Sequence, residues 1–307
     1  MNYENDYFWK SIQAYLPLEN RLSSADMPVE YFISHQDIKI HIDHYKVDQP
    51  KARIILFHGV GGNGRLLSFI ALPLMRNGYE VICPDLPLYG YTQYKSTITY
   101  GDWVKCGTAI AQSFQKDNIP MFLFGLSAGG MLAYQVANEC QGISGIMVTC
   151  ILDQRNKYVT MQSARRPYIA VVGNALISTT YKIIGSFKVP MKLVANMKLI
   201  TNNKKLAELL MKDKKSSGAS VSLAFLYSML HPSIKIEPEN FNDCPFLLVH
   251  PGDDRWTKIE LSRYFYDRLA CDKELHVLEG AGHFPIEGAG LKQLEKVCIN
   301  FIDSHLF

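Results

Sequence analysis

The stretch Phe122-Leu123-Phe124-Gly125-Leu126-Ser127-Ala128-Gly129-Gly130-Met131 constrains this chain more than any other. An apolar strand runs into Gly-x-Ser-x-Gly and then into the small and apolar residues that open a helix, Met131, Leu132 and Ala133. A serine in a sharp strand-to-helix turn sits on strained backbone, with its hydroxyl projecting from the sheet edge. Glycines flank it because a Cβ there would collide with the neighbouring strand and helix. The helix N-terminus offers free N–H groups and a positive dipole end to a developing anion. Ser127 is therefore a candidate nucleophile beside half of an oxyanion hole. Taken alone, the same residues also describe an ordinary strand–loop–helix junction, and the rest of the chain has to decide.

The flanking sequence alternates strands and helices. Tyr7 to Leu16 reads as a short helix. Glu30–Ser34 and Ile38–Tyr45 carry the period of two of half-buried strands, with His35-Gln36-Asp37 as the turn of an antiparallel hairpin. Arg53–Phe57 is a continuous apolar run of the kind found in buried parallel strands. A helix over Leu66–Arg76, a strand over Glu80–Cys83 and a helix over Tyr100–Lys116 lead to the strand before Ser127, and Ile143–Cys150 is the strand after its helix. The alternation stops over Asp153–His231, which reads as mostly helical. It resumes with a strand at Pro245–Val249, a helix at Ile259–Leu269, a strand at Glu274–Leu278 and a last helix to about His305. This predicts an α/β fold with a mostly parallel central sheet flanked by helices. The expected organisation is a core in two parts, residues 1–152 and 241–307, with an inserted helical lid at 153–240 over the carboxyl ends of the strands.

Nucleophilic serine chemistry needs a base within hydrogen-bond reach and an acid that orients the base. In such a sheet both belong on loops after later strands. Two loops qualify: His250-Pro251-Gly252-Asp253-Asp254-Arg255-Trp256-Thr257 and Glu279-Gly280-Ala281-Gly282-His283-Phe284-Pro285. Together with His58-Gly59-Val60-Gly61-Gly62 after the first buried strand, Asp85 with Gly90 after the next, and the Gly125–Gly129 turn, they give the chain a resemblance to the α/β-hydrolase superfamily along nearly its whole length.

The resemblance implies a serine hydrolase, esterase- or lysophospholipase-like, with Ser127 as nucleophile, His283 as base and Asp254 as orienting acid. The backbone N–H of Ala128, with that of Val60 or Gly61, would form the oxyanion hole. Asp254 falls at the family's usual offset from His250; Asp253 beside it, and Asp153 after an earlier strand, are the alternatives. His58 is expected to order the oxyanion loop. The chain departs from the family in having His250-Pro251 where His-Gly is common, and Tyr89 where Gly-His is common, which bears on the pocket rim. Tyr89, Leu126, Tyr158, Phe225 and Trp256 are candidate substrate contacts, although Trp256 and Thr257 also suit the packing of the following helix. Tyr158, Tyr168, Tyr181, Phe187, Met191 and Leu223–Tyr227 are candidates to line an apolar acyl pocket.

Two other readings compete. A hydrolase fold whose triad serves ligand sensing or cofactor-free haloperoxidase-like chemistry would carry the same motifs. Gly59-x-Gly61-x-x-Gly64 with Asp85 some twenty residues on also fits a dinucleotide site, and so an NAD-binding oxidoreductase, but that leaves the serine turn and Gly282-His283 without a purpose. Ser127 in place of a carboxylate excludes aspartate-nucleophile chemistry.

Charge adds one asymmetry. The net charge is +3, yet Arg155–Lys235 holds fourteen Lys or Arg against two acids. Such a basic insertion suits peripheral contact with anionic lipid or an acidic substrate, and equally a solvated surface; nothing suggests nucleic acid. The acidic, polar start Met1–Asp6 is unlike a signal peptide, and no apolar run reaches the ~20 residues of a spanning helix. Seven scattered cysteines without Cys-x-x-Cys read as reduced core thiols in a cytoplasmic protein. A small-molecule ester is the expected partner, with no metal or organic cofactor. The sequence gives no indication of oligomeric state.

Overall fold

The computed structural model describes residues 2–115, 117–166, 178–181 and 183–306. Eight strands form one sheet in the order β1-β2-β4-β3-β5-β6-β9-β10. They are β1 (Val29–His35), β2 (Ile38–Tyr45), β3 (Arg53–Phe57), β4 (Glu80–Pro84), β5 (Met121–Gly125), β6 (Ile143–Val148), β9 (Phe246–Pro251) and β10 (Lys273–Leu278). The hairpin β1–β2 is antiparallel and joins β4 antiparallel, and all other pairings are parallel. Strands β3 and β5 are buried along their whole length and apolar except for Arg53, as strands covered on both faces must be.

Strand order fixes where the helices lie. The connection from β3 to β4 runs one way along the sheet, through α2 (Ser68–Arg76). Those from β4 to β5 and β5 to β6 run the other way, through α3 (Tyr100–Phe114) and α4 (Ala128–Glu139). Right-handed crossovers of opposite direction put their helices on opposite faces. Accordingly α3 packs on α4, whereas α2 packs on the last helix, Gly288–Ser304. The direction reverses between β3 and β5, so a crevice opens there at the carboxyl ends of the strands. Val60 follows β3 and Ser127 follows β5.

One expectation is corrected at β2. Its alternation predicts one solvated face, yet His41 and Asp43 are buried. The chain start covers that face, and Tyr3 and Trp9 are buried with it. Asp43 takes two hydrogen bonds from the guanidinium of Arg65, at 2.5 and 2.9 Å. Arg65 also reaches Glu30 at 3.0 Å, and His41 lies between Glu30 at 2.9 Å and Asp85 at 3.0 Å.

Among the described residues, the segment between β6 and β9 carries several short helices and one pair of strands. Its helices include α5 (Lys157–Ser163), α6 (Met191–Val194), α7 (Lys204–Lys212) and α8 (Leu223–Leu230), and two short strands, β7 (Lys188–Pro190) and β8 (Ser220–Ser222), pair antiparallel. The helices are short because Pro190 and a run of Ser and Gly at 216–218 break the pattern. Tyr168 lies outside the described residues. The segment touches three loops at the carboxyl ends of the strands. Ser217 Oγ donates to Gly61 O at 2.9 Å, Phe284 N to Ile200 O at 3.0 Å, and Trp256 Nε1 to Ser163 O at 2.8 Å. All seven cysteines are free and buried. Among the described residues no helix is long and apolar enough to cross a membrane.

Candidate active site

Ser127 sits at φ 58°, ψ −124°, the left-handed region that costs a non-glycine residue of order 1–3 kcal/mol. The turn is held by close backbone packing. A Cβ on Gly125 would lie 2.1 Å from Gly129 O, and one on Gly129 would lie 2.2 Å from Phe57 O. The Ser127 N–H donates to Thr149 Oγ1 at 3.2 Å.

Three side chains that are far apart in sequence meet here. His283 Nε2 lies 2.9 Å from Ser127 Oγ, and His283 Nδ1 lies 2.8 Å from Asp254 Oδ2. Asp254 is further fixed by its own loop: its Oδ1 accepts from the N–H of Trp256 at 2.7 Å and of Thr257 at 2.8 Å, and its Oδ2 from Thr257 Oγ1 at 2.7 Å. Burial alone would raise the pKa of Asp254, but the His283 charge and these hydrogen bonds bring it down to about 2. Of the alternative acids, Asp253 is exposed. Asp153 is occupied by Arg155, at 2.8 and 2.9 Å.

The Val60 side of the site is built by His58. Its Nε2 accepts from Leu86 N at 2.9 Å, so its hydrogen is on Nδ1, which donates to Gly59 O at 2.7 Å. Burial pushes His58 down to about 4, which keeps the ring neutral and the two loops joined. Val60 and Ala128 both border the cavity at Ser127, and among the described residues neither backbone N–H is taken by another group. Gly61, at φ +82°, turns its carbonyl to Ser217.

The cavity measures about 340 Å³. Met131, Leu223, Leu226 and Met229 give it an apolar wall, and Arg166 is the one charged residue among the described ones that line it. Trp256 lines it too, with its ring 4.7 Å from that of His283. Met191 also lines it. The other pocket candidates lie elsewhere. Tyr89 is buried behind the loop at Val60, against His58 and Trp103. Phe225 packs on Trp103 at 4.9 Å, on the core side of its helix. Leu126 is buried beneath the turn. Tyr158 is exposed beside Tyr264, Phe187 is exposed, and Tyr181 stacks on Tyr227 at 3.8 Å outside the cavity. Met131 was legible in principle, being one helical turn beyond Ser127. Met229, Leu230 and Val194 gave no sequence signal.

The dinucleotide reading fails at Asp85. Its carboxylate already accepts from Gly64 N at 2.7 Å, Tyr91 N at 2.8 Å and Tyr3 OH at 3.0 Å. It is fully buried, so no oxygen is left for a ribose.

Among solved structures, a soluble variant of Saccharomyces cerevisiae monoglyceride lipase superposes with a TM-score of 0.74 at 19% identity, over 94% of this chain and 98% of that one. Paleococcus ferrophilus monoacylglycerol lipase gives 0.65 at 20% identity, over 87% and 99%. Phospholipase YtpA of Bacillus subtilis (strain 168) is 23% identical over 274 residues, which span 85% of this chain and 99% of that protein. The family described as serine aminopeptidase, S33, matches residues 48–287, and the chain belongs to that family of α/β-hydrolases.

Proposed function

We propose that this chain hydrolyses the carboxylic ester of a single-chain lipid, with Ser127 as nucleophile, His283 as base and Asp254 as orienting acid. The observation that carries the reading is the 2.9 Å contact of Ser127 Oγ with His283 Nε2 at the floor of an apolar cavity. Ser127 Oγ attacks the ester carbonyl while His283 takes its proton. The oxyanion is met by the N–H groups of Val60 and Ala128, each worth about 3 kcal/mol in such sites. His283 then protonates the leaving alcohol, and water cleaves the acyl-enzyme by the reverse route.

The cavity favours an ester over a peptide N-terminus. A free α-ammonium needs a carboxylate, and among the described lining residues there is none. The apolar wall suits an acyl chain. Arg166, at the rim, suits an anionic headgroup, since a guanidinium pairs with phosphate or carboxylate in fork geometry. The names of the relatives, a phospholipase and two monoacylglycerol lipases, point the same way. Residues 153–240 act as a lid whose basic, partly apolar surface meets anionic lipid. Seven free buried cysteines support a reducing, cytoplasmic setting.

The test is fluorophosphonate labelling of wild type and Ser127→Ala, with p-nitrophenyl butyrate turnover in parallel. Labelling and turnover lost together in the variant support the reading. A folded wild type that neither labels nor turns over would favour a repurposed triad.

A further inference from the structure

Thr257 reads from sequence as a residue that packs the helix beginning at Ile259, yet it is buried against the two groups behind Ser127. Its Oγ1 lies 2.7 Å from Asp254 Oδ2 and 3.1 Å from His283 Nδ1, and it is 1% exposed. Counting hydrogens settles what each atom can do. An ionised carboxylate only accepts. Asp254 Oδ1 is occupied by the N–H groups of Trp256 and Thr257, so Oδ2 faces the remaining donors. The Thr257 hydroxyl has one hydrogen, and the shorter contact spends it on Oδ2. Its lone pairs then face His283 Nδ1. Asp254 Oδ2, 2.8 Å from His283 Nδ1, also only accepts, so Nδ1 carries the imidazole hydrogen, Oδ2 and the Thr257 oxygen share it, and Nε2 is left bare toward Ser127 Oγ.

We propose that Thr257 is a positioning residue of the Ser127–His283–Asp254 relay: its hydroxyl holds the carboxylate in place and, as a second acceptor beside Asp254, reinforces the His283 tautomer that accepts the Ser127 proton. This rests on the roles given to those three residues above. Thr257 borders the cavity, and its hydroxyl is turned to Asp254 and His283. It acts through Asp254 and His283, as an outer hydrogen-bond partner tunes a ligand or base elsewhere.

The experiment compares wild type, Thr257→Val, Thr257→Ser and Thr257→Ala. Valine keeps the shape and removes the hydroxyl; serine keeps the hydroxyl and removes the methyl. We expect Thr257→Val to lower kcat about tenfold, the size of one charge-assisted hydrogen bond, with KM held within about twofold. Fluorophosphonate labelling should slow in step, and Thr257→Ser should restore both. The low-field proton resonance of the His283 Nδ1–H should move in Thr257→Val and return in Thr257→Ser. Wild-type kcat with an unmoved resonance in Thr257→Val overturns the proposal. So does a Thr257→Ser protein as slow as Thr257→Val, which would assign the effect to the methyl. If valine prevents folding, Thr257→Ala takes its place under the same criteria. Ser127→Ala is run alongside: turnover retained there would sink the nucleophile assignment, and the resonance comparison, which needs no turnover, still decides Thr257.

Discussion

The hydroxyl of Tyr3 reaches both carboxylate oxygens of Asp85, at 3.0 Å each, and ties the start of the chain to the loop that follows β4. The same carboxylate accepts the N–H of Gly64 at 2.7 Å, at the far end of the loop that begins with Val60. The N-terminal segment therefore braces the Val60–Gly64 loop beside Ser127 from behind. This contact sets the first prediction.

Tyr3→Phe removes one donor from a buried, ionised acceptor and leaves Gly64 N, Tyr91 N and His41 in place. Such a loss costs roughly 1–3 kcal/mol. Urea unfolding should show a lowered midpoint at unchanged slope, with the protein still folded. A midpoint equal to wild type would mean that Asp85 needs no bond from Tyr3.

The pair of Arg65 and Asp43, both wholly buried, should behave asymmetrically. Arg65→Met strands the Asp43 carboxylate and should cost about 3–5 kcal/mol, whereas Arg65→Met with Asp43→Leu removes both charges and should recover most of that. A double-mutant cycle in urea checks it. A double variant as unstable as the single one would show that Tyr3 and Trp9, whose rings lie 4.8 and 5.7 Å from the guanidinium, depend on the arginine for packing more than Asp43 does for charge.

These buried charges also mark where sequence stops being legible. The order of strands, the turn at Ser127 and the two later loops follow from short-range patterns: apolar runs at Arg53–Phe57 and Met121–Gly125, and glycines that permit close backbone approach. The family resemblance favours Asp254 over Asp253 by its offset from His250 and leaves Asp253 open. The inner face of β2 is different, because alternation says only that His41 and Asp43 share a face. What covers that face is Tyr3, Trp9 and Arg65, which come from elsewhere in the chain. The cavity repeats the lesson. Met131 follows from helical spacing, but Phe225 and Leu226 are neighbours on one helix, and only tertiary packing turns Leu226 inward to the cavity and Phe225 to Trp103. Thr257 is the extreme case, since its place rests on distances to two residues brought together by the fold.

Stability should fall on the alkaline side because of His41. Burial alone would lower its pKa, but hydrogen bonds to Asp85 and Glu30, with the charge of Asp43 nearby, hold it at about 10. Its folded value lies above the unfolded value of ~6.5, so the folded state binds a proton more tightly. That contribution is complete below pH ~6.5 and is lost as pH rises toward about 10. Unfolding free energy should drop between pH 7 and 10, by a few kcal/mol at most, and His41→Gln should flatten the curve over that window. A wild-type curve already flat there would refute the charged His41.

Contact with anionic lipid is the last outcome to measure. Ile183, Phe187 and Leu193 are 86, 63 and 58% exposed. They share a short stretch with Lys188 and Lys192, both exposed, and Leu193 also lines the cavity. Apolar side chains beside cations suit the boundary between headgroups and acyl chains, and each lysine near an anionic surface contributes about 1 kcal/mol. Vesicles rich in phosphatidylserine should therefore bind the protein, and salt should weaken binding by screening. Lys188→Glu with Lys192→Glu should reduce binding at least tenfold while leaving p-nitrophenyl butyrate turnover in vesicle-free buffer unchanged. Phe187→Ser should reduce binding at high salt as well, because its contribution is burial and not charge. Binding indifferent to both salt and the lysine reversals would leave the basic segment as a solvated surface. Binding lost only in the charge variants would mean that the apolar side chains stay in water while the lysines alone hold the surface.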